Sequence, residues 1–223
     1  MNAPSVLSFD LDDTLWAVEP VILAAEAAML AWLRAHHPEV VQNHDRESLR
    51  AMRARVARQH PERNHDMTFV RRRALAEMFA AAGHDARHAD RAFEVFYAER
   101  NRVQLYGEVE AALGRLSARY RLFAVSNGNA DLKRCGIAHW FEGHITAISA
   151  GAPKPDIRIF ARLLDAARVD AACVLHVGDD PQLDVVGAMR AGMQAAWLNR
   201  AAKQWPAHLP PSPLTIATLE ELD

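Results

Sequence analysis

The chain begins its regular pattern with a short apolar run, Val6 to Phe9, that ends abruptly in the carboxylates Asp10, Asp12 and Asp13. Such a run predicts a buried strand over Val6–Asp10. From about Ala17 to Tyr106 the spacing turns helical. Pro20 stands where a first-turn proline belongs, and Val21, Leu23, Ala24, Ala27, Leu30 and Leu33 give a broad apolar face that stops before Pro38. Further helices are predicted from Arg46 to Gln59, stopped at Pro61, from Thr68 to Ala82, ended by Gly83, and from Ala86 to Val103. No strand pattern interrupts this block, so residues 17–106 are expected to be an all-helical insertion.

After Gly107 the pattern alternates. A helix over Glu108–Arg119 leads to a strand over Leu122–Ser126, and a short helix around Asp131–Cys135 leads to a strand over His144–Ser149. A helix over Asp156–Ala167 precedes a strand over Cys173–Gly178, and a helix over Asp184–Ala191 precedes a strand over Ala195–Leu198. Strands alternating with helices imply an α/β fold with a doubly wound, five-stranded parallel sheet. The expected division is residues 1–16 and 107–223 for this core, with the helical block inserted. The proline-bearing tail, Pro206 to Pro213, reads as an irregular connector before a last turn at Leu219–Leu222. In such sheets ligands bind outside the carboxyl ends of the strands.

Composition narrows the classes. The 223 residues are 50% hydrophobic and carry a net charge of −2, which is no signature of nucleic-acid binding. The two cysteines, Cys135 and Cys173, are far apart and fit neither a disulfide framework nor a zinc site. No apolar leader opens the chain and no run approaches the ~18 residues of a membrane span. A cytoplasmic protein without nucleic-acid or membrane partners, monomeric or homodimeric, is expected. Of the 26 basic residues only Lys133, Lys154 and Lys203 are lysine.

Four strand ends carry chemistry. The first is Asp10-Leu11-Asp12-Asp13-Thr14. Buried anions cost several kcal/mol each unless a cation or strong donors meet them, and carboxylate oxygens suit Mg²⁺. Taken alone, an Asp-x-Asp pair reads equally well as a turn with solvated acids. The second is Ser126-Asn127-Gly128, where a hydroxyl and backbone N–H groups suit phosphoryl oxygens, or simply form a strand-to-helix turn. The third is Lys154 between Pro153 and Pro155, a stiffly presented ammonium, followed by Asp156 at a helix-capping position. The fourth is Gly178-Asp179-Asp180 with Asp184. There Asp179 is a candidate metal ligand opposite Asp10, and Asp180 and Asp184 would hold metal-bound water, orient Lys154, or cap the following helix.

These four stations, in this order, resemble the motifs of the haloacid dehalogenase superfamily. The resemblance covers the whole chain and implies that family's Rossmannoid core with a helical cap, and a sheet order of 5-4-1-2-3. It implies that Asp10 attacks phosphorus and that Asp12 acts as general acid and base. It implies that Mg²⁺ is held by Asp10, by Asp12 through its carbonyl, and by Asp179. Ser126, the Asn127 N–H and Lys154 would hold the transferring oxygens. Asp12 argues against dehalogenation, which needs no general acid there. The absence of lysine from residues 17–106 argues against a phosphonatase, which needs a Schiff-base lysine in its cap. A sugar-phosphate mutase and a non-catalytic module of the same fold stay open.

The expected substrate is a small phosphorylated metabolite. The segments Phe9–Leu15, Pro20–Leu23, His65–Thr68, His176–Asp180 and Gly192–Ala195 resemble members that dephosphorylate flavin mononucleotide and the ribitylaminouracil phosphate of riboflavin synthesis. From Arg34 to Arg73 there are ten arginines against five acids, a basic stretch that would concentrate anions or merely line a solvated face. His65, Arg63 and Arg71 are the candidate substrate contacts there. Trp16 would stack on a flat ring or pack the hinge. His176 reads as a hydrogen-bonded core histidine, and His36, His37, His84 and His88 show no metal-ligand pattern in sequence.

Overall fold

A computed structural model describes residues 3–42, 44–211 and 213–222. In chain order the elements are β1 (Val6–Phe9), α1 (Val18–His36), α2 (Pro38–Val41), α3 (Arg46–Gln59), α4 (Met67–Ala81), α5 (His88–Arg100) and α6 (Val109–Ser117). There follow β2 (Arg121–Ser126), β3 (Gly143–Thr146), α7 (Ala147–Ala150), α8 (Ile157–Ala167), β4 (Val174–Gly178), a π-helical turn (Pro181–Val186), α9 (Gly187–Arg190), β5 (Gln194–Leu198) and β6 (Thr215–Ile216).

The chain forms two compact units. One contains residues 1–17, 104–128 and 136–223, and the other residues 18–103 with 129–135. In the first, all strands run parallel in the order β3-β2-β1-β4-β5-β6. β1 lies centrally, with Phe9 level with Ala124 on β2 and Val177 on β4. This is the expected order with one strand added. The sixth comes from the proline-bearing tail: the Trp197 N–H bonds the Leu214 carbonyl and the Asn199 N–H bonds that of Ile216. Two residues are too short for any alternation to announce them.

Buried apolar residues from one face of the sheet and from α8, among them Val6, Val125, Phe160, Leu163, Val174 and Trp197, make a core of the α/β unit. Two glycines are required by close approach. A Cβ on Gly178 would meet the Asp184 side chain at 2.3 Å, and one on Gly187 would meet Phe160 at 2.8 Å. The chain thus packs the carboxylate of Asp184 directly beneath the end of β4.

In the helical unit, Leu33, Phe79, Phe93 and Phe96 are fully or almost fully buried between α1, α4 and α5. α3 spans the expected residues. Asp45 caps it by accepting from the Ser48 N–H at 2.8 Å, and Ser48 returns the bond to the Asp45 N–H at 3.0 Å. Other expectations are corrected. α1 starts at Val18, so Pro20 lies inside the first turn rather than opening it. Residues 131–135 form turns rather than a helix, with Asp131 accepting from the backbone N–H groups of Lys133 and Arg134. The third strand ends at Thr146, where a Thr146–Ser149 capping box starts α7. α2, between Pro38 and Val41, was not anticipated. Among the described residues, no helix is long and apolar enough to cross a membrane.

Candidate active site

β1 ends at Phe9 and hands over to a tight loop. The Asp10 N–H still bonds the Val177 carbonyl of β4, and the Thr14 and Leu15 N–H groups bond back to Leu11. Asp13 takes a left-handed φ of 60°, a conformation that aspartate tolerates, and its N–H reaches the Trp16 carbonyl at 2.7 Å. This turn leaves Asp10 buried and Asp12 partly open.

Lys154 lies against Asp10. Its buried ammonium donates to Asp10 Oδ1 at 2.5 Å, to Asp184 Oδ1 at 2.6 Å and to the Val125 carbonyl at 2.9 Å, which uses all three of its N–H groups. Asn127 clamps the lysine backbone from both sides, donating to the Lys154 carbonyl at 3.0 Å and accepting from its N–H at 2.6 Å. The Ser126 Oγ is buried and accepts from the Gly128 N–H at 2.9 Å, which shapes the loop after β2.

The fourth strand end divides its acids by role. Asp180 caps the turn that follows, accepting from the Gln182 and Leu183 N–H groups at 2.8 Å each. Asp184 holds Lys154 through one oxygen and the Asp180 N–H, at 3.0 Å, through the other. Of the readings open for these two, capping belongs to Asp180 and orientation of Lys154 to Asp184. Asp179 takes neither task. Thr14 Oγ1 donates to its Oδ1 at 3.5 Å, and the Trp197 indole donates to its carbonyl at 2.8 Å. Carboxylate oxygens of Asp10, Asp179 and Asp184 come within 4.8 Å of one another.

The electrostatics follow from burial and from an excess of anions. Burial pushes Asp179 up to about 7, with the charges of Asp184 and Asp13 adding to it. Burial likewise raises Asp10, Lys154 opposes that rise, and Asp184 reinforces it. Burial disfavours the Lys154 ammonium, yet Asp10 and Asp184 more than offset this and hold it charged. Asp184 stays ionised against its burial because of Lys154 and His176. One ammonium therefore faces three clustered carboxylates. The adjoining cavity has a volume of about 200 Å³ and is lined by Asp10, Asp12, Ser126, Asn127, Lys154 and Asp179. This is below the ~300 Å³ typical of whole small-molecule sites and suits a compact charged group.

A family model described as haloacid dehalogenase-like hydrolase matches residues 4–192. The chain belongs to the haloacid dehalogenase-like hydrolase family. It is similar to the 5-amino-6-(5-phospho-D-ribitylamino)uracil phosphatase YigB of Escherichia coli, at 34% identity over 87% of this chain and 83% of that protein. It is also similar to the phosphoserine phosphatase of Thermus thermophilus, at 37% identity over 60% of this chain and 56% of that one. A solved 2-haloacid dehalogenase from Pseudomonas syringae pv. Tomato superposes with a TM-score of 0.92, at 38% identity over 98% of this chain and 96% of the other. The two relatives matched in sequence are both named phosphatases, whereas the solved structure is named a dehalogenase.

Around the family's motif residues the structure adds partners that the sequence did not indicate. Trp16 is fully buried, so no ring face is open to a ligand, and the stacking expectation is withdrawn. Its indole N–H instead donates to Asp12 Oδ1 at 2.9 Å. His176 accepts or donates between Ser8 Oγ at 2.9 Å and Asp184 Oδ1 at 3.3 Å, as expected of a core histidine. Burial lowers its pKa, which keeps the ring neutral. Arg200 donates to the Thr14 carbonyl at 2.9 Å and pairs with Glu108 at 2.6 Å, bracing the Asp10–Trp16 loop.

Within the helical unit, seven of the ten arginines in the basic stretch pair with carboxylates among the described residues. Arg46, Arg53 and Arg71 converge on buried Glu26, Arg55 and Arg73 on Glu77, Arg72 on Asp90 and Glu94, and Arg63 on Asp66. Most of these acids lie outside the basic stretch, which is why a count along the sequence overstated its free charge. Arg71 is buried, with its guanidinium 3.7 Å over the Phe96 ring, and Arg63 lies 3.7 Å over Phe69. Both arginines have structural work to do. His65 is partly exposed, in the turn before α4.

Proposed function

We propose that the protein is a Mg²⁺-dependent phosphatase of small phosphorylated metabolites that works through an aspartyl-phosphate on Asp10. The observation that carries this reading is the pairing of two unlike carboxylates on one loop. Asp10 is buried against Lys154, while Asp12 is partly open and fixed by the Trp16 indole. A nucleophile and a separate acid–base group are what phosphoryl transfer to a carboxylate requires.

The fit of a divalent cation rests on the donor set. Asp184 has both oxygens committed to Lys154 and a backbone N–H, which leaves Asp10 and Asp179 as ligands, with the Asp12 carbonyl as the third expected from the family resemblance. Burial and the neighbouring carboxylates Asp184 and Asp13 raise the pKa of Asp179 to about 7 against the opposing charge of Lys154, the environment a divalent cation relieves. Hard oxygen donors suit Mg²⁺. When bound, the ion offsets the repulsion between the Asp10 carboxylate and an anionic phosphate.

In this mechanism an Asp10 oxygen attacks phosphorus and the bond to the leaving alkoxide breaks as Asp12 delivers its proton to that oxygen. Asp12 then takes a proton from water as the water attacks phosphorus, the Asp10–phosphorus bond breaks, and inorganic phosphate leaves. Lys154, through its bond to Asp10, holds the attacking oxygen in place. Ser126 and the Asn127 N–H would hold the phosphoryl oxygens. The helical unit would act as the family's cap, with His65 as its substrate contact.

For the substrate we favour ribitylaminouracil phosphate or flavin mononucleotide. The similarity to the Escherichia coli ribitylaminouracil-phosphate phosphatase over 87% of the chain supports this choice. Dehalogenation is the second reading, favoured by the name of the Pseudomonas syringae structure. Asp12 separates the two, because halide displacement from carbon needs no proton donor.

The test is release of phosphate from a metabolite panel that includes both flavin-pathway compounds, with and without Mg²⁺, beside release of halide from 2-haloacids. Mg²⁺-dependent phosphate release with a preference for the two flavin-pathway compounds supports the full proposal. Halide release without phosphate release overturns it. Transfer of phosphate between sugar positions without free phosphate would point instead to a mutase.

A further inference from the structure

The helical unit contains a second group of side chains of metal-ligating type, in which His37 and Glu39, two residues apart, meet the distant His84. His37 follows the last residue of α1, Glu39 is in the first turn of α2, and His84 follows Gly83 after α4. One ligand atom from each lies within 4.8 Å of the other two. We propose that His37, Glu39 and His84 form a solvent-accessible site for a divalent transition-metal ion of the Zn²⁺ class.

The backbone around this group is anchored on both sides. The His37 N–H bonds the Leu33 carbonyl at 2.7 Å, and the His84 N–H bonds the Phe79 carbonyl at 2.9 Å. Gly83 makes the turn that brings His84 back, with φ of 76°. The fully buried Phe79 ring packs against both imidazoles, with centroids 4.9 Å from His37 and 6.4 Å from His84, and the two imidazoles lie 5.8 Å apart. Trp32 lies 5.4 Å from the His37 ring on another side, and His88 packs 5.1 Å from it. The His37 ring thus has aromatic neighbours on several sides, which restrict how it can turn.

The donor chemistry selects the ion. Two imidazoles and one carboxylate suit Zn²⁺ and its neighbours in the transition series, and suit Mg²⁺ poorly. Three protein ligands leave a coordination position for water, the arrangement of an open rather than a closed zinc site. The His84 and Glu39 side chains are 34% and 44% exposed, so an ion has a path in. His84 Nε2 lies 2.8 Å from Glu39 Oε1. An ion bound here would make bonds of about 2.0–2.2 Å to each, and any proton held on a ligand atom would pass to solvent. The three ligands all belong to the helical unit, whereas Asp10, Asp179 and Asp184 all belong to the α/β unit.

The test is equilibrium dialysis of the full chain against Zn²⁺ in a large excess of Mg²⁺, which occupies oxygen-only sites. The intact protein should retain one equivalent of Zn²⁺. His84→Gln and Glu39→Gln, at half-exposed positions where the fold is not at stake, should each weaken that binding at least about tenfold. Co²⁺ substituted for Zn²⁺ should give visible absorption that the His84→Gln protein lacks. Failure of the intact protein to retain Zn²⁺ overturns the proposal. So does Zn²⁺ retained equally by both variants but lost in Asp179→Asn, because that assigns the ion to the carboxylate cavity.

Discussion

The two units each bury a cluster of charges, and the clusters are opposite in balance. In the helical unit one carboxylate, Glu26, is met by Arg46, Arg53 and Arg71 at 3.0, 2.8 and 3.4 Å. Burial pushes Glu26 up, but the three guanidinium groups bring it below the ordinary glutamate range. In the α/β unit one ammonium, Lys154, is met by Asp10 and Asp184, with Asp179 close by, and Asp179 is pushed up to about 7. A cluster that neutralises its own anions holds a fold together. A cluster with anions left over is waiting for a cation or a substrate.

The largest consequence of this contrast is at Asp10. Asp10→Asn keeps the shape and the bond to Lys154 but removes the nucleophile, and turnover should fall at least about a thousandfold with the circular dichroism spectrum unchanged. Retained activity would remove Asp10 from the mechanism. The corresponding change in the helical unit should act on stability. Glu26→Gln leaves the buried Arg71 and the partly buried Arg53 without a counter-charge and should cost about 2–4 kcal/mol in denaturant unfolding. Turnover per folded molecule should be largely retained. An unchanged unfolding midpoint would show that the arginines find other partners.

Asp179 should give the opposite sign. Its folded pKa lies near 7, above the unfolded value of about 3.9. Across that window the metal-free folded protein holds a proton that the unfolded chain has lost. Stability is therefore greatest at the acid end and falls as pH rises towards 7. Asp179→Asn should stabilise the metal-free protein at pH 8 by about 1–3 kcal/mol, allowing for partial exposure, and abolish any stabilisation by Mg²⁺. For the unaltered protein, apparent Mg²⁺ affinity should rise with pH up to about 7 and level off above it. A variant destabilised at pH 8, or one still stabilised by Mg²⁺, would mean that Asp179 is already neutralised from within.

The smallest effect concerns Trp16. Trp16→Phe keeps an aromatic ring in the pocket and removes the N–H that fixes Asp12. We expect turnover to fall about tenfold, the worth of one hydrogen bond to a charged group, with KM little changed and the pH profile displaced. If only the unfolding midpoint moves, the tryptophan is packing alone.

Much of the α/β unit was legible because its signals are local. A buried strand that ends in Asp10-Leu11-Asp12, a lysine between two prolines, and Gly178-Asp179 each sit within a few residues. The parallel direction of the strands followed from strands and helices taking turns, and their order from the family resemblance. What was not legible depends on chain segments meeting. The pairing of Thr215–Ile216 with β5, the Trp16 indole on Asp12, and the clamp of Asn127 on the Lys154 backbone leave no mark in spacing. The helical unit shows the same limit more sharply. Its basic stretch is largely neutralised by Glu26, Glu77, Asp90 and Glu94, and His84 meets His37 and Glu39 because α2 and the turn after α4 are neighbours in space.

The central claim is that Asp10 becomes phosphorylated and that Asp12 is needed to release the phosphate. The most direct measurement is peptide mass mapping of the Asp12→Asn protein, quenched in acid after incubation with Mg²⁺ and a phosphate ester whose leaving group departs without protonation. The account predicts a phosphoryl group on the peptide that contains Asp10, accumulating to a large fraction of the protein. An unmodified Asp10 peptide, with phosphate still released into solution, would contradict it.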